Sequence, residues 1–394
     1  MGKTKNKQPR TNNQKQTTTV GVLGGGQLAW MMAQEASRLG INLVVQTPNS
    51  LDPAVHLADD VILAPLGEVA ATRELAGECD VVTFENEFVD LEALRPLEEA
   101  GVCFHPRLDA IAPLLDKLDQ RNYLQEIGLP VPRFQAVTPE QPLQSPYGFP
   151  VVLKARRQGY DGKGTFIIKS QEQLEDLWDR LEQPSLLIEE FIPFERELAV
   201  MAARSVSGEV VIYPVVETEQ VEQVCRRVNV PARISQEVEQ HIRQLATTLL
   251  EELQVVGIYG IELFLTSDDR VLVNEIAPRT HNSGHYSLDA CATSQFAMQL
   301  QAIADLPLGS PQLTCGGAVM VNLLGYEHAR SEYISQRQDL ENLPRAFVHW
   351  YGKTEARPGR KLGHVTVLLE NVAEAEAIAQ QVEQIWYGKG LNSH

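Results

Sequence analysis

Two glutamates set in apolar company are the first residues of this chain with chemistry to offer. In GIELFLTSDDRVLVNEIAPR, residues 260–279, two apolar runs flank Ser267-Asp268-Asp269-Arg270. The pattern predicts a hairpin with a two-residue loop, although Asp-Asp is a poorer centre than Asp-Gly. Counting back from that loop sets Glu262 directly across from Glu275, on the face shared with Phe264 and Val273. Opposed like charges destabilise a sheet, and burying them costs more. A divalent cation removes the conflict: Mg²⁺ takes hard oxygen ligands and keeps substrate phosphates and waters in its remaining positions. A slip of one residue would put the two acids on opposite faces and dissolve the reading.

The next segment, APRTHNSGHYS, crowds Arg279, His281 and His285 into a short glycine-containing stretch. Arginine offers a planar fork to a carboxylate-like anion, and histidine donates hydrogen bonds or moves protons. Upstream, in KARRQGYDGKGT, Lys154 ends an apolar run and the loop Gly159–Thr165 returns into the apolar run TFII. This strand-loop-strand pattern does not fit a Walker loop, which would read GxxxxGK[ST] and open a helix. It suits a flap that closes over a nucleotide and excludes water, though a hairpin tip with solvated charges has the same letters. In SLLIEEFIPFERELAV a strand runs into an extended connector whose backbone can meet an adenine edge, with Glu197 placed for ribose hydroxyls. By themselves Glu189 and Glu190 read as solvent-facing charge. Near the C-terminus, HWYGKTEARPGRKLGH gathers Lys353, Arg357, Arg360 and Lys361, either as a second phosphate site or as a solvated basic loop.

These groups need elements to hold them. With 394 residues, 43% of them hydrophobic, the chain can build two or three cored domains. A net charge of -18 repels nucleic acid, so phosphate must be caught by local basic clusters on a small ligand. The opening stretch carries Lys3, Lys5, Lys7, Arg10 and Lys15 without an acid or an apolar run, and reads as a disordered tail over 1–19 rather than a signal peptide. No run is apolar enough to span a bilayer. Five scattered cysteines without a CxxC pair fit a reducing cytoplasm.

From Val20 onward, strands VGVL, NLVVQ, a run near Val61 and VVTF alternate with helical stretches, which predicts a doubly wound parallel sheet over 20–113. The turn Gly24-x-Gly26-x-x-Ala29 matches a relaxed dinucleotide fingerprint, but the second strand ends in Gln46-Thr47 rather than an acid, which disfavours a nicotinamide. What survives is an anion site at a helix N-terminus, or a tight turn with no ligand. Proline-rich stretches LPVPRF and TPEQPLQSP follow the helix DKLDQRNYLQEIG and open a second domain over 114–306, and a smaller module follows over 307–390.

Taken together these residues resemble the ATP-grasp superfamily and, within it, the 5-(carboxyamino)imidazole ribonucleotide synthetases of purine biosynthesis. The resemblance covers nearly everything after the tail and is carried by GGGQL, RRQGYDGKG, NEIAPRTHNSGH and HWYGK…RPGRKLGH. It implies an α/β ATP-grasp fold with a Rossmann-like N-terminal domain, a flexible lid and a small C-terminal α+β module. It also implies a cytoplasmic homodimer that uses ATP, Mg²⁺ and bicarbonate to carboxylate aminoimidazole ribonucleotide through carboxyphosphate. Another ATP-grasp carboxylate ligase, biotin carboxylase-like or formate-using, is the alternative.

By this resemblance Lys117 and Lys154 would contact ATP phosphates, and the lid Gly159, Tyr160, Asp161, Gly162, Lys163, Gly164 and Thr165 would cover them. Glu189, Glu190, Phe191, Ile192 and Glu197 would hold adenosine, while Asn274, Glu262 and Glu275 would organise magnesium. Arg279 and His281, with His285 close by, would face bicarbonate or carboxyphosphate, and Tyr160 and Asp161 the imidazole ribotide. The ribotide phosphate would lie between Lys353 with Arg360 and the turn Gly26-Gln27-Leu28, near Glu85. One position departs: Gln220 stands where the family pattern carries a nucleotide-contacting histidine, and glutamine hydrogen-bonds but cannot become cationic.

Overall fold

The structure, a computed structural model, describes residues 17–137, 144–157, 164–180 and 185–388. Of the stretch read as a tail, residues 1–16 lie outside the described residues. Thr19 belongs to the fold, since it begins the first strand and its amide donates to Asp80.

The N-terminal sheet is four-stranded and parallel, in the order β3-β2-β1-β4, built from β1 (Thr19–Leu23), β2 (Asn42–Thr47), β3 (Asp60–Leu63) and β4 (Val81–Phe84). Its central strands read as unbroken apolar runs because both faces are covered. Helix α1 (Gln27–Leu39) packs on one face, while α2 (Val69–Glu78) and α3 (Leu91–Glu99) pack on the other. Gln46 and Thr47, at the end of β2, are both buried: Gln46 bonds Thr72 and the Pro65 carbonyl, and Thr47 bonds Asp52. A short helix α4 (Leu108–Ile111) leads to α5 (Lys117–Glu126), whose first turn is capped by Asp116 through the amides of Leu118 and Asp119.

Two antiparallel sheets follow. The smaller, in the order β5-β8-β6-β7, joins β5 (Phe134–Ala136), β6 (Val151–Ala155), β7 (Thr165–Ile168) and β8 (Leu186–Glu190) under α6 (Gln171–Arg180). The larger begins with β9 (Phe194–Arg204), β10 (Val210–Ile212), β11 (Val216–Val221) and β12 (Val224–Val230). It continues with β13 (Gly257–Thr266) and β14 (Val271–Ala277). Helix α7 (Gln236–Leu253) lays Val238, Ile242, Leu245, Leu249 and Leu253 along one stripe against Tyr259, Ile261, Leu263 and Val273, a 3.6-residue period meeting a two-residue one.

After helices α8 (Ser287–Ala290) and α9 (Gln295–Ile303), the chain adds β15 (Gly317–Leu324), β16 (Ala329–Arg330), α10 (Ile334–Glu341), β17 (Ala346–Trp350), β18 (Glu355–Ala356), β19 (Lys361–Leu369) and α11 (Ala375–Tyr387). The order β14-β13-β9-β11-β12-β15-β19-β17 runs through one continuous sheet, with β10 on the flank of β9. The stretch after residue 306 therefore shares a sheet with the one before it: Val228 pairs with Met320 and Val230 with Ala318. Its own core forms where α11 buries Ala379, Val382 and Trp386 against β15 and β19.

Candidate active site

A cleft of about 2280 Å³ opens where the small sheet, the β13–β14 hairpin, the ends of the parallel strands and the basic loop after β17 converge. Glu262 and Glu275 face each other across β13 and β14, as the hairpin reading requires. The rest of that reading needs correction. Leu265 pairs with Val271 and the Thr266 amide donates to the Arg270 carbonyl, so the loop holds three residues, with Asp269 at φ 60°, and a bulge between Glu262 and Leu263 restores the glutamate pairing. Val273 consequently pairs with Leu263 and is buried against α7, not on the glutamate face. The bulge leaves both Asn274 and Glu275 lining the cleft.

Charge is distributed unevenly around this pair. The Glu262 carboxyl, desolvated at the cleft floor and facing Glu275 and Glu197, is pushed up to about 7. Burial would raise Glu275 too, but the Lys117 ammonium at 2.6 Å, with Lys154 and Arg121 behind it, holds it below the usual carboxylate range. Lys154 Nζ lies 3.0 Å from Asn274 Oδ1 and 2.8 Å from Glu189 Oε2. Glu189 is not solvent-facing. It is 2% exposed between Lys154 and Arg121, the latter at 2.5 Å. Glu190 closes a separate pair with the backbone and guanidinium of Arg133.

The ends of β6 and β7 are tied to the same helix that carries Lys117. Lys154 pairs with Thr165 across β6 and β7, the Ala155 amide donates to the Gly164 carbonyl, and Arg156 meets Asp116 at 2.9 Å. Gly159, Tyr160, Asp161, Gly162 and Lys163 lie outside the described residues. On the far wall, Phe191, Ile192, Glu197 and Gln220 line the cleft beside Phe194 and Phe264, which stack at 4.8 Å between ring centroids. Burial pushes Glu197 up to about 7 against its hydrogen bond from Gln220.

Arg279 presents its fork to the cleft and is held there by Glu87 at 2.7 and 2.8 Å. His281 places Nε2 3.5 Å from Glu262 Oε1, with Nδ1 against the Ser283 hydroxyl. His285 departs from expectation. The 3-10 turn Asn282–Gly284 carries it away from the cleft into a fully buried position against Phe296, with Nδ1 2.9 Å from the Gln295 amide. It can brace the segment and does not line the cleft.

The glycine turn already faces a carboxylate. Glu85, at the end of β4, accepts from the Leu28 amide, and a Cβ on Gly26 would stand 2.5 Å from its Oε1. Burial raises this carboxyl above the usual range, against the pull of Arg279. Across the domain junction, Lys353 Nζ reaches Gln27 Oε1 at 2.8 Å and the Lys361 carbonyl at 2.9 Å. Arg360 lines the same mouth while its guanidinium donates to the Glu355 carbonyl. Sequence reasoning missed Glu87, Arg121 and the Phe194–Phe264 stack. Each has its partner on a distant segment, and only the aromatic letters on flanking strands offered a hint.

Three family models match in succession: a ribonucleotide synthetase preATP-grasp domain over residues 17–113, an ATP-grasp domain over 122–296, and a phosphoribosylaminoimidazole carboxylase C-terminal domain over 318–378. The chain is 56% identical over 384 residues to the N5-carboxyaminoimidazole ribonucleotide synthase of Synechocystis sp., covering 94% of this chain and 98% of that protein. It is 37% identical over 377 residues to the Bacillus subtilis protein of the same name, covering 94% and 96%. Among solved structures, the carboxyaminoimidazole ribonucleotide synthase of Aspergillus clavatus complexed with ATP superposes with a TM-score of 0.88 at 34% identity, over 94% of this chain and 98% of that one. The N5-carboxyaminoimidazole synthase of that organism in complex with ADP and 5-aminoimidazole ribonucleotide gives 0.86 at 33% identity, over 94% and 99%.

Proposed function

Because the chain belongs to the N5-carboxyaminoimidazole ribonucleotide synthase family of ATP-grasp ligases, we infer that its cleft carboxylates 5-aminoimidazole ribonucleotide with bicarbonate at the expense of ATP. The products are N5-carboxyaminoimidazole ribonucleotide, ADP and phosphate, in purine biosynthesis. One observation carries the reading: the opposed glutamates with their lysines, the Arg279 fork and the Gln27–Lys353 junction all open into the same cleft.

A bicarbonate oxygen attacks the terminal phosphorus of ATP, the bond to the ADP oxygen breaks, and carboxyphosphate forms. The exocyclic amine then takes the carboxyl carbon, the carbon-oxygen bond to phosphate breaks, and the amine loses a proton. Bicarbonate is a weak nucleophile meeting a polyanion, so fixed positive charge and exclusion of water matter most. Lys117 and Lys154 supply that charge at the phosphates. Arg279 binds the bicarbonate and carboxyphosphate oxygens in place of Glu87, and removal of the amine proton is the role we assign to His281 Nε2. Phe194 and Phe264, with Ile192, offer an apolar wall to adenine, while Glu197 accepts from the ribose.

The donors at the hairpin fit a hard cation: two opposed carboxylates and an amide oxygen, with burial raising one acid to about 7 for want of counter-charge. Glu262, Glu275 and Asn274 would hold Mg²⁺, which when bound offsets the negative charge gathering on the transferred phosphoryl group. A homodimer in the cytoplasm accompanies this reading.

The test is ADP release with bicarbonate and the ribotide added separately and together. Release that needs both supports the assignment, and release driven by biotin in place of the ribotide, or by formate in place of bicarbonate, overturns it. Lys353→Ala is expected to raise KM for the ribotide at least ~10-fold, with KM for ATP unchanged, because its ammonium, which reaches Gln27 beside the glycine turn, is the group we assign to the ribotide phosphate. A shift in the ATP constant instead would reassign the basic loop. Gly26→Ala should act on the same constant by about 10-fold or more, since its Cβ would displace Glu85 while the backbone, at φ -73°, stays unstrained. Loss of thermal stability without a change in KM would contradict that placement.

A further inference from the structure

Away from the cleft, three ligating side chains from three elements converge. Asp289 comes from α8, His349 from β17 and His364 from β19, and their ligand atoms all lie within 4.8 Å of one another. His349 and His364 are direct cross-strand partners with rings stacked 4.5 Å apart, and His349 Nε2 lies 2.9 Å from Asp289 Oδ2.

We propose that Asp289, His349 and His364 form a binding site for a transition-metal dication of the zinc class. Two imidazole nitrogens with one carboxylate suit zinc better than magnesium, and three protein ligands leave a position for water. The second observation is an orphaned nitrogen. His364 is fully buried and its Nε2 has no hydrogen-bond partner among the described residues, while its Nδ1 is 2.7 Å from the Tyr351 hydroxyl. When the hydroxyl accepts from Nδ1–H, Nε2 is left with a lone pair, the arrangement in which ligating histidines are held by a second partner. His285, its ring centroid 5.1 Å away, carries another buried Nε2 without a partner.

Access is provided from outside the cleft. A surface cavity of about 700 Å³, lined by Trp30, Gln34, Arg337 and Trp350, reaches His349. A bound ion would tie the β17–β19 hairpin to α8, in the segment that begins at Arg279 and His281, and so favour the folded state.

Chelator-treated full-length enzyme, kept in excess Mg²⁺ so that hard-oxygen sites are filled, should bind one equivalent of Zn²⁺ by calorimetry and melt at a higher temperature with it. His349→Ala and Asp289→Asn should each weaken that binding by about 100-fold or more and abolish the rise in Tm. The asparagine retains an acceptor for His349, so it separates a metal ligand from a mere hydrogen-bond partner, and it carries the test if the alanine variant does not fold. Parent protein that neither binds Zn²⁺ nor gains stability, or variants that bind it as tightly as the parent, would overturn the proposal.

Discussion

Replacing Glu275 with glutamine is expected to lower turnover by about 10³-fold, or ~4 kcal/mol of transition-state stabilisation, while the protein stays folded. The substitution nearly preserves shape. It removes one ligand charge from the pair opposed across β13 and β14, along with the partner of Lys117. Two effects on stability oppose each other: relief of repulsion with Glu262 and loss of a partly exposed ion pair, each on the order of 1 kcal/mol. The melting temperature without ligand should therefore move little. The rise in melting temperature that Mg²⁺ and ATP give the parent should shrink sharply in the variant, measured at fixed ligand concentration. Equal ligand-dependent stabilisation with near-normal turnover would remove the glutamates from the metal and phosphate machinery.

The largest effect on stability is expected from Glu189→Ala, about 3–5 kcal/mol in denaturant unfolding, because it strands Arg121 and Lys154 as buried cations. Burial alone would raise this carboxyl, yet Arg121 and Lys154 bring it down to about 2 from an ordinary 4.5. A depressed carboxylate stabilises the fold above its unfolded value and loses that contribution as pH falls through the folded one. The stability difference between parent and variant should thus be full above pH 4.5 and decline toward pH 2. A difference that is flat with pH would mean that the cost is cavity formation rather than charge.

The sequence carries the site unevenly, for physical reasons. Strand alternation is a local signal, so the facing of Glu262 and Glu275 could be counted from the letters. The bulge could not, because the strand that carries it is also held on its outer edge, where the Val273 amide donates to the Pro130 carbonyl, a partner far away in the chain. Glu189 reads as surface charge for the same reason: nothing near it announces Arg121 or Lys154. His281 and His285 are four apart, and a single 3-10 turn between them sends one to the cleft and the other to the core. The parallel N-terminal sheet was legible from its alternating elements, but the glycine turn's nearest anion is the chain's own Glu85.

The joining of β12 to β15 also bears on how the protein is made. While the chain is being synthesised, β12 has its β11 partner early, but its other edge stays open until Gly317–Leu324 has emerged, and the far edge of β15 then waits for β19. An open edge invites pairing with other chains. A nascent chain stalled before residue 317 would expose that edge, which pairing with β15 puts out of reach of other chains.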